Sequence, residues 1–284
     1  MHRVDDHPSS RAKSANSFTR SWRARVAARS LLLAATSVLF ACQPKLTVGE
    51  WECSENGAPV GVPPNTDPIA VPWSTSFENG FCDYTQLAGF CFADPAASYR
   101  TVASPVHSGQ FAAAFSVTTA DSTGTQTRCV RQGALPPAAY YGAWYYVPAR
   151  ATNSAFWNLL HFQGGDPSVQ HYLWDVSLVN TPNGDLQLTV YDFLANNGLG
   201  MVRKPNAPPI PIAAWFHIQF YLKRAADATG EIVLYQDGQR LLDVSGVITD
   251  DSTWGQWYVG NIATGLMPPD STVYVDDVTI DTKL

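Results

Sequence analysis

The stretch from Phe156 to Phe193 holds the side chains best suited to chemistry. Its runs FWNLLHFQ (156–163), HYLWDVSLV (171–179) and DLQLTVYDF (185–193) are separated by Gly/Asp/Pro and Thr-Pro-Asn-Gly turns, and they read as strands. Side chains alternate across a strand. One face then takes Phe156, Leu160 and Phe162, next Tyr172, Trp174, Val176 and Leu178, and last Leu186, Leu188 and Val190. The opposite face takes Trp157, His161 and Gln163, next His171, Asp175 and Ser177, and last Gln187, Thr189 and Tyr191. A face made only for water would favour Lys, Glu and Thr. Imidazoles, amides, a carboxylate and flat rings instead suit a carbohydrate groove. Rings stack on sugars, amides and carboxylates bind hydroxyls, and an imidazole moves protons near neutral pH.

Other strands must position that face. They read at Phe111–Val117, Gln126–Gln132, Trp215–Lys223, Glu231–Gln236, Gln239–Val244, Gln256–Asn261 and Thr272–Ile280. Tyr140–Val147 is aromatic on both faces, which predicts a strand buried on both sides. Asp237-Gly238 suits a type I′ hairpin, whose two central residues need positive φ. No sustained helical period and no 20–50-residue repeat is visible. The expected fold is all-β, a two-sheet antiparallel β-sandwich or jelly roll. The segment Ala195–Ile212, with four prolines and with Arg203 and Lys204, reads either as a lid carrying basic substrate contacts or as cover for a sheet edge.

Composition narrows the partners. The chain of 284 residues is 45% hydrophobic with nine Trp, and only 15% charged, which fits an exported β protein. Residues 1–41 carry seven Arg and Lys against Asp5 and Asp6, and residues 42–284 carry 11 basic against 22 acidic residues, a net charge of −11. That balance argues against nucleic acid and anionic lipid surfaces as partners. Four arginines between Arg20 and Arg29 precede the apolar run Leu31–Ala41, the layout of a secretory signal too short to span a membrane. Residues 42–72, with Val62-Pro-Pro-Asn-Thr-Asp-Pro68, read as a linker, and 73–284 as one folded domain. Cys53, Cys82, Cys91 and Cys129 suggest two disulfides, expected as Cys82–Cys91 and Cys53–Cys129.

Two resemblances add to this. Leu39-Phe40-Ala41-Cys42 resembles a bacterial lipobox, which implies lipidation at Cys42 and, with Gln43 next, an outer-membrane or cell-surface location; simple cleavage after Ala41 is the alternative. Over most of 73–282 the chain resembles the concanavalin-A-like jelly rolls, and among them the polysaccharide-lyase-like proteins of bacterial surfaces. The resemblance rests on Phe77-Glu-Asn-Gly80, Trp215-Phe-His217, the hairpin Gly230–Gly238, Trp257-Tyr-Val-Gly-Asn261 and Tyr274-Val-Asp-Asp-Val278. It implies a monomer acting on a polysaccharide, and a structural calcium between Glu78 and Asp276 or Asp277.

Three chemistries compete. For β-elimination of a uronate polymer, the resemblance implies Gln163 at the carboxylate with Arg128 nearby, His161 as base, and Tyr191 or Tyr258 as acid. One branch of the lyases has Gln-x-His; here the order is His161-Phe162-Gln163, and Arg128-Cys-Val-Arg131 lacks the glutamate of the arginine-rich strand. Hydrolysis by paired carboxylates is disfavoured, since the glutamates after Cys42 are Glu50, Glu52, Glu55, Glu78 and Glu231, and Asp175 and Asp192 fall on opposite faces. Binding without catalysis asks for Trp157, Tyr191, Trp257 and Tyr258 as stacking platforms, with His161, His171, Gln163, Asp175 and Gln187 binding hydroxyls. A structural surface protein is the remaining, non-carbohydrate class.

Overall fold

The computed structural model describes residues 68–284 apart from 86–88, 121–122, 167–168, 195, 203 and 251. The segments read above as a signal and, for the most part, as a linker, with Cys42, Cys53 and the basic N-terminal run, lie outside the described residues, as does Arg203. In chain order the elements are β1 (Trp73–Thr75), α1 (Cys82–Thr85), β2 (Gly89–Ala93), β3 (Ala97–Val102), β4 (Ala112–Thr118), β5 (Thr125–Gly133), β6 (Ala138–Tyr146) and β7 (Thr152–Asp166). They continue as β8 (Val169–Asn180), β9 (Leu186–Asp192), β10 (Met201–Val202), β11 (Trp215–Lys223), β12 (Gly230–Gln236), β13 (Gln239–Val247), β14 (Gly255–Met267) and β15 (Asp270–Asp281).

Two antiparallel sheets pack face to face. One runs β13-β12-β11-β6-β15-β4-β3 with β1 added along β15; the other runs β10-β9-β8-β7-β14-β5-β2. The core between them is apolar and aromatic, because each strand sends every second side chain inward. Phe162 meets Tyr141 and Phe220 of the facing sheet at ring-centroid distances of 4.9 and 5.2 Å. The Tyr145 hydroxyl crosses to donate to the Leu159 carbonyl at 3.2 Å. The Asp237-Gly238 turn has φ of 50° and 75°, as the hairpin requires. Pro68 and Ile69, ahead of Trp73, also pair with Ala134, and Ile69 packs in the core.

Two expectations are corrected, and a third, left open between two readings, falls to one of them. Cys91 is bonded to Cys129, its direct opposite across β2 and β5 with Cα atoms 4.0 Å apart, so neither Cys82–Cys91 nor Cys53–Cys129 forms. Strand pairing brings together residues 38 apart in sequence, and α1 intervenes in the shorter loop. Cys82 is disulfide-bonded as well. β6 is not buried on both sides: Tyr141 and Tyr145 point inward, whereas Tyr140, Trp144 and Tyr146 are half-buried outside, with their rings against Tyr221, His217 and Trp215 of β11. The proline-rich segment covers an edge. Its β10 pairs with β9, Ile210 N donates to Leu186 O at 2.8 Å, and Gln236 Nε2 donates to Pro209 O at 3.3 Å.

The Cys91–Cys129 link closes a long loop in the unfolded chain. Replacing both cysteines with Ser is expected to lower stability by about 4 kcal/mol, read by urea unfolding without reductant.

Candidate functional site

The site is built on the outer face of the seven-stranded sheet, and its residues are set by register. Tyr191 on β9 lies opposite Asp175 on β8, Asp175 opposite His161 on β7, and His161 opposite Tyr258 on β14. A second row runs Tyr172, Gln163, Gln256, Gln132. A third pairs Asn158 with Ser177 and Ser177 with Thr189.

Two bulges create this arrangement. Asn158 pairs with Ser177 but Leu160 with Val176, so Leu159 is one residue extra in β7; Phe162 pairs with Trp174 but Gln163 with Tyr172, so Leu173 is extra in β8. Each bulge reverses the phase of its strand. Leu159 and Leu160 are therefore both in the core, as are Leu173 and Trp174. Before the β7 bulge Phe156 and Asn158 face outward and Trp157 inward; after it His161 and Gln163 face outward. Tyr172 turns outward and is 54% exposed.

The resulting cavity, about 340 Å³, is lined by Arg128, Asn158, His161, Tyr172, Asp175, Ser177, Tyr191 and Phe193, with Ala155, Phe156 and Ile262 as apolar wall. His161 Nδ1 bonds Asp175 Oδ1. The imidazole is only 2% exposed, flanked by Tyr172 and Tyr258 with ring centroids 5.0 Å away on each side. Its Nε2 is buried without a partner, as are Asn158 Oδ1 and Ser177 Oγ. Buried polar atoms are nearly always satisfied, so three unsatisfied ones around one cavity point to a ligand.

Arg128 is 6% exposed and stacks 4.8 Å over the Tyr258 ring, with Nε on Gln126 Oε1 at 3.1 Å. Among the described residues no carboxylate lies within ion-pair distance of it. Gly260 makes room for this: a Cβ there, at φ +147°, would sit 2.4 Å from Thr127 O and 2.8 Å from the Arg128 Cα. The Tyr258 hydroxyl lies 2.7 Å from Gln163 Oε1 and also contacts Gln256 Oε1, and Gln256 Nε2 donates to Gln132 Oε1 at 2.9 Å. One phenolic proton serves only one acceptor, so one of these amides turns its NH₂ to the phenol. Burial raises Tyr258, with Arg128 opposing. Burial lowers His161; Asp175 works against that shift, and Arg128 adds to it. Burial also lowers Arg128.

Of the residues expected to act, His161, Asp175, Tyr191 and Arg128 line the cavity, and Gln163 and Tyr258 adjoin it. Others do not join them. Trp157 is core, its Nε1 donating to Asn261 Oδ1 at 3.0 Å; Trp257 is core against Trp73 and Tyr141. Gln187 Nε2 is taken by the Ala207 carbonyl of the edge-covering segment. Lys204 Nζ donates to Arg240 O at 3.3 Å, far along that segment. His171, beyond the β8 bulge, does not line the cavity. Strict alternation missed Phe156, Asn158 and Tyr172, and it stopped short of Phe193, 47% exposed and 5.5 Å from Tyr172. The bulges carry no sequence signal of their own.

The calcium ligands implied by the resemblance close on residues 107–111 instead. Glu78 Oε1 accepts from Gln110 N at 2.8 Å and Phe111 N at 3.0 Å. Asp276 Oδ2 accepts from His107 N at 3.0 Å and Ser108 N at 3.2 Å, and Asp277 takes His107 Nδ1 at 2.6 Å and Ser108 Oγ at 2.7 Å. Among the described residues no three His, Cys, Asp or Glu side chains are grouped to hold a metal ion. The acceptors are turned to N–H and O–H donors, so the residues present do not fit the ion.

By sequence, no protein-family model and no curated protein matches this chain. Solved structures do. An endo-β-1,4-glucuronan lyase from the fungus Trichoderma reesei superposes with a TM-score of 0.56 at 19% identity, covering 68% of this chain and 90% of that one. A PL-14 alginate lyase from Aplysia kurodai gives 0.54 at 12% identity, covering 76% and 100%. Both share the two-sheet jelly-roll fold of this chain. A cellulose-induced protein shares it too, at 0.50 and 14% identity over 74% of this chain and 97% of that one, so the fold does not by itself fix an activity.

His161 is expected to govern part of the acid limb of stability. Its folded pKa lies below the ordinary 6.5, so below about pH 6.5 the unfolded chain takes up a proton that the folded one resists, and stability falls with pH. Asp276, raised to about 6 by burial, acts in the opposite sense between its unfolded value and 6, where the folded state binds more protons. Thermal unfolding from pH 8 to 5 should show a shallower acid loss in His161→Gln than in the parent.

Proposed function

We propose that this protein engages an acidic polysaccharide in the cavity of the seven-stranded sheet and cleaves it there by β-elimination beside a uronate. One observation carries the reading: among the described residues no carboxylate lies within ion-pair distance of the buried Arg128 guanidinium, which shares a cavity with His161. A cation kept from water without a countercharge is costly, and a uronate carboxylate is the anion a glycan supplies. The names of two proteins sharing the fold, a glucuronan lyase and an alginate lyase, agree with this.

In this reading Arg128 pairs with the uronate carboxylate and makes the neighbouring C5–H more acidic. His161 takes the C5 proton, the C–H electrons become the C4=C5 double bond, and the C4–O bond breaks. The leaving oxygen takes a proton from Tyr172, which stands beside the imidazole and half in solvent. Tyr258 is the lesser donor, because its hydroxyl is engaged by Gln163 and Gln256 and burial strengthens its hold on the proton. Asn158 and Ser177 receive sugar hydroxyls, while Tyr191 and Phe193 supply ring faces. The signal-like and lipobox-like N-terminus supports export and lipid anchoring at the cell surface, with the domain acting as a monomer.

A second reading, glycan binding without cleavage, is favoured by the near-complete covering of His161. The two separate on a panel of uronate polymers followed by ultraviolet absorbance of the unsaturated product. Cleavage is expected, with His161→Ala losing about 10²–10⁴-fold in kcat/KM while polymer retention persists. Arg128→Ala should weaken retention and slow turnover together, and Tyr172→Phe should slow turnover more than Tyr258→Phe. Retention of neutral polymers with no ultraviolet product from any uronate polymer would transfer the assignment to binding.

A further inference from the structure

The contact between Asp175 and His161 has a use that the elimination scheme leaves unassigned. A carboxylate offers only acceptors, so the imidazole nitrogen bonded to it must carry the hydrogen. That nitrogen is Nδ1. The other nitrogen, Nε2, is buried and has no partner, and the ring lines the cavity. We infer that Asp175 is a positioning residue that locks His161 in the Nδ1–H tautomer and so leaves the Nε2 lone pair bare toward the cavity.

The surroundings leave Asp175 this task alone. The titratable and charged groups facing the imidazole are Asp175 and Tyr172 from β8, Tyr258 from β14 and Arg128 from β5, with Tyr191 of β9 next in the row behind Asp175. Arg128 has only donors, and the Tyr258 hydroxyl is spent on the amide row. Among the described residues, Asp175 is the acceptor that the imidazole is bonded to. The ladder fixes its own place, since Asp175 sits directly opposite both His161 and Tyr191. When Nε2 takes a proton from substrate, the resulting imidazolium has Asp175 as its counterion. Nδ1–H stays where it was, and no proton passes to the carboxylate.

The tautomer assignment stands on the free protein; only the catalytic use of the lone pair rests on the lyase reading. The test is ¹⁵N NMR of imidazole-labelled full-length protein above the titration range, with the His161 signals assigned by their loss in His161→Gln. The expected wild-type spectrum has a protonated Nδ1 and a bare Nε2. In the near-isosteric Asp175→Asn, the two tautomers should mix. The pH at which His161 titrates should fall, because a group favouring the cation has gone. If the polymer is cleaved, the rising limb of kcat/KM should move to lower pH in Asp175→Asn, with kcat reduced on the order of 10²-fold and KM little changed. A packing role alone would lower activity without moving that limb. A wild-type spectrum with hydrogen on Nε2 overturns the inference, and so does an Asp175→Asn spectrum identical to wild type. Spectra as expected from a protein that cleaves no uronate polymer would sustain the tautomer assignment and remove the lyase reading instead.

Discussion

Everything at the site follows from two single-residue insertions in a ladder of hydrogen bonds. A strand with period two gives each residue a fixed side, and one extra residue transfers everything beyond it to the other side. Leu159 in β7 and Leu173 in β8 are those residues. Without the first, Trp157 and His161 would share a face. With it, the indole fills the core and hydrogen-bonds Asn261, while the imidazole turns to the cavity. Without the second, Tyr172 would follow Trp174 inward instead of standing beside His161. Bulges of this kind re-aim side chains while keeping most of the ladder, which lets a dense core and a polar cavity share the same strands.

The electrostatics depend on that geometry. Arg128 and His161 are both held nearly out of water, where charge is expensive and interactions between charges are strong. Neither is neutralised in the usual way. The guanidinium lies over a phenol ring and takes a glutamine oxygen, and the imidazole has a carboxylate on one nitrogen only. The scaffold holds such groups in place by rigid means. The Cys91–Cys129 bond ties β5, the strand that carries Arg128, to its edge neighbour β2. The absent side chain at Gly260 lets β14 come close to Arg128. The glutamine row fixes the Tyr258 hydroxyl. Burial disfavours the charged form of both Arg128 and His161, and for the guanidinium it is also what makes an incoming anion worth binding.

The remaining surfaces deal with the hazards of sheets. The proline-rich segment adds β10 to β9 and satisfies Gln187 and Thr189 through the Ala207 and Val202 carbonyls, so one end of the sheet is closed by stiff chain that cannot extend the ladder further. On the other sheet, His107, Trp144 and His217 stack in sequence with centroids 3.8 and 5.0 Å apart. Asp277 holds His107 there, and the carboxylates of Glu78 and Asp276 gather the backbone of 107–111. Hydrogen bonds from the chain thus take the place that a cation was expected to fill.

The sequence by itself determined the class of fold and most of its strands. Alternating apolar residues from Trp215 to Lys223, the Asp237-Gly238 turn and the absence of a helical period admit little else. It also marked His161, Asp175, Tyr191 and Arg128, because polar, titratable and aromatic side chains concentrated on adjoining strands are rare on an ordinary solvated face. Tertiary structure alone decided which aromatic rings are core and which line the cavity, and which cysteines meet. The reason is that sequence patterns report distances along the chain, whereas register reports distances across it. An inserted residue costs the local pattern almost nothing, yet it reverses what every following side chain faces. Pairing of β2 with β5 likewise outweighs nearness in sequence in choosing the partner of Cys91.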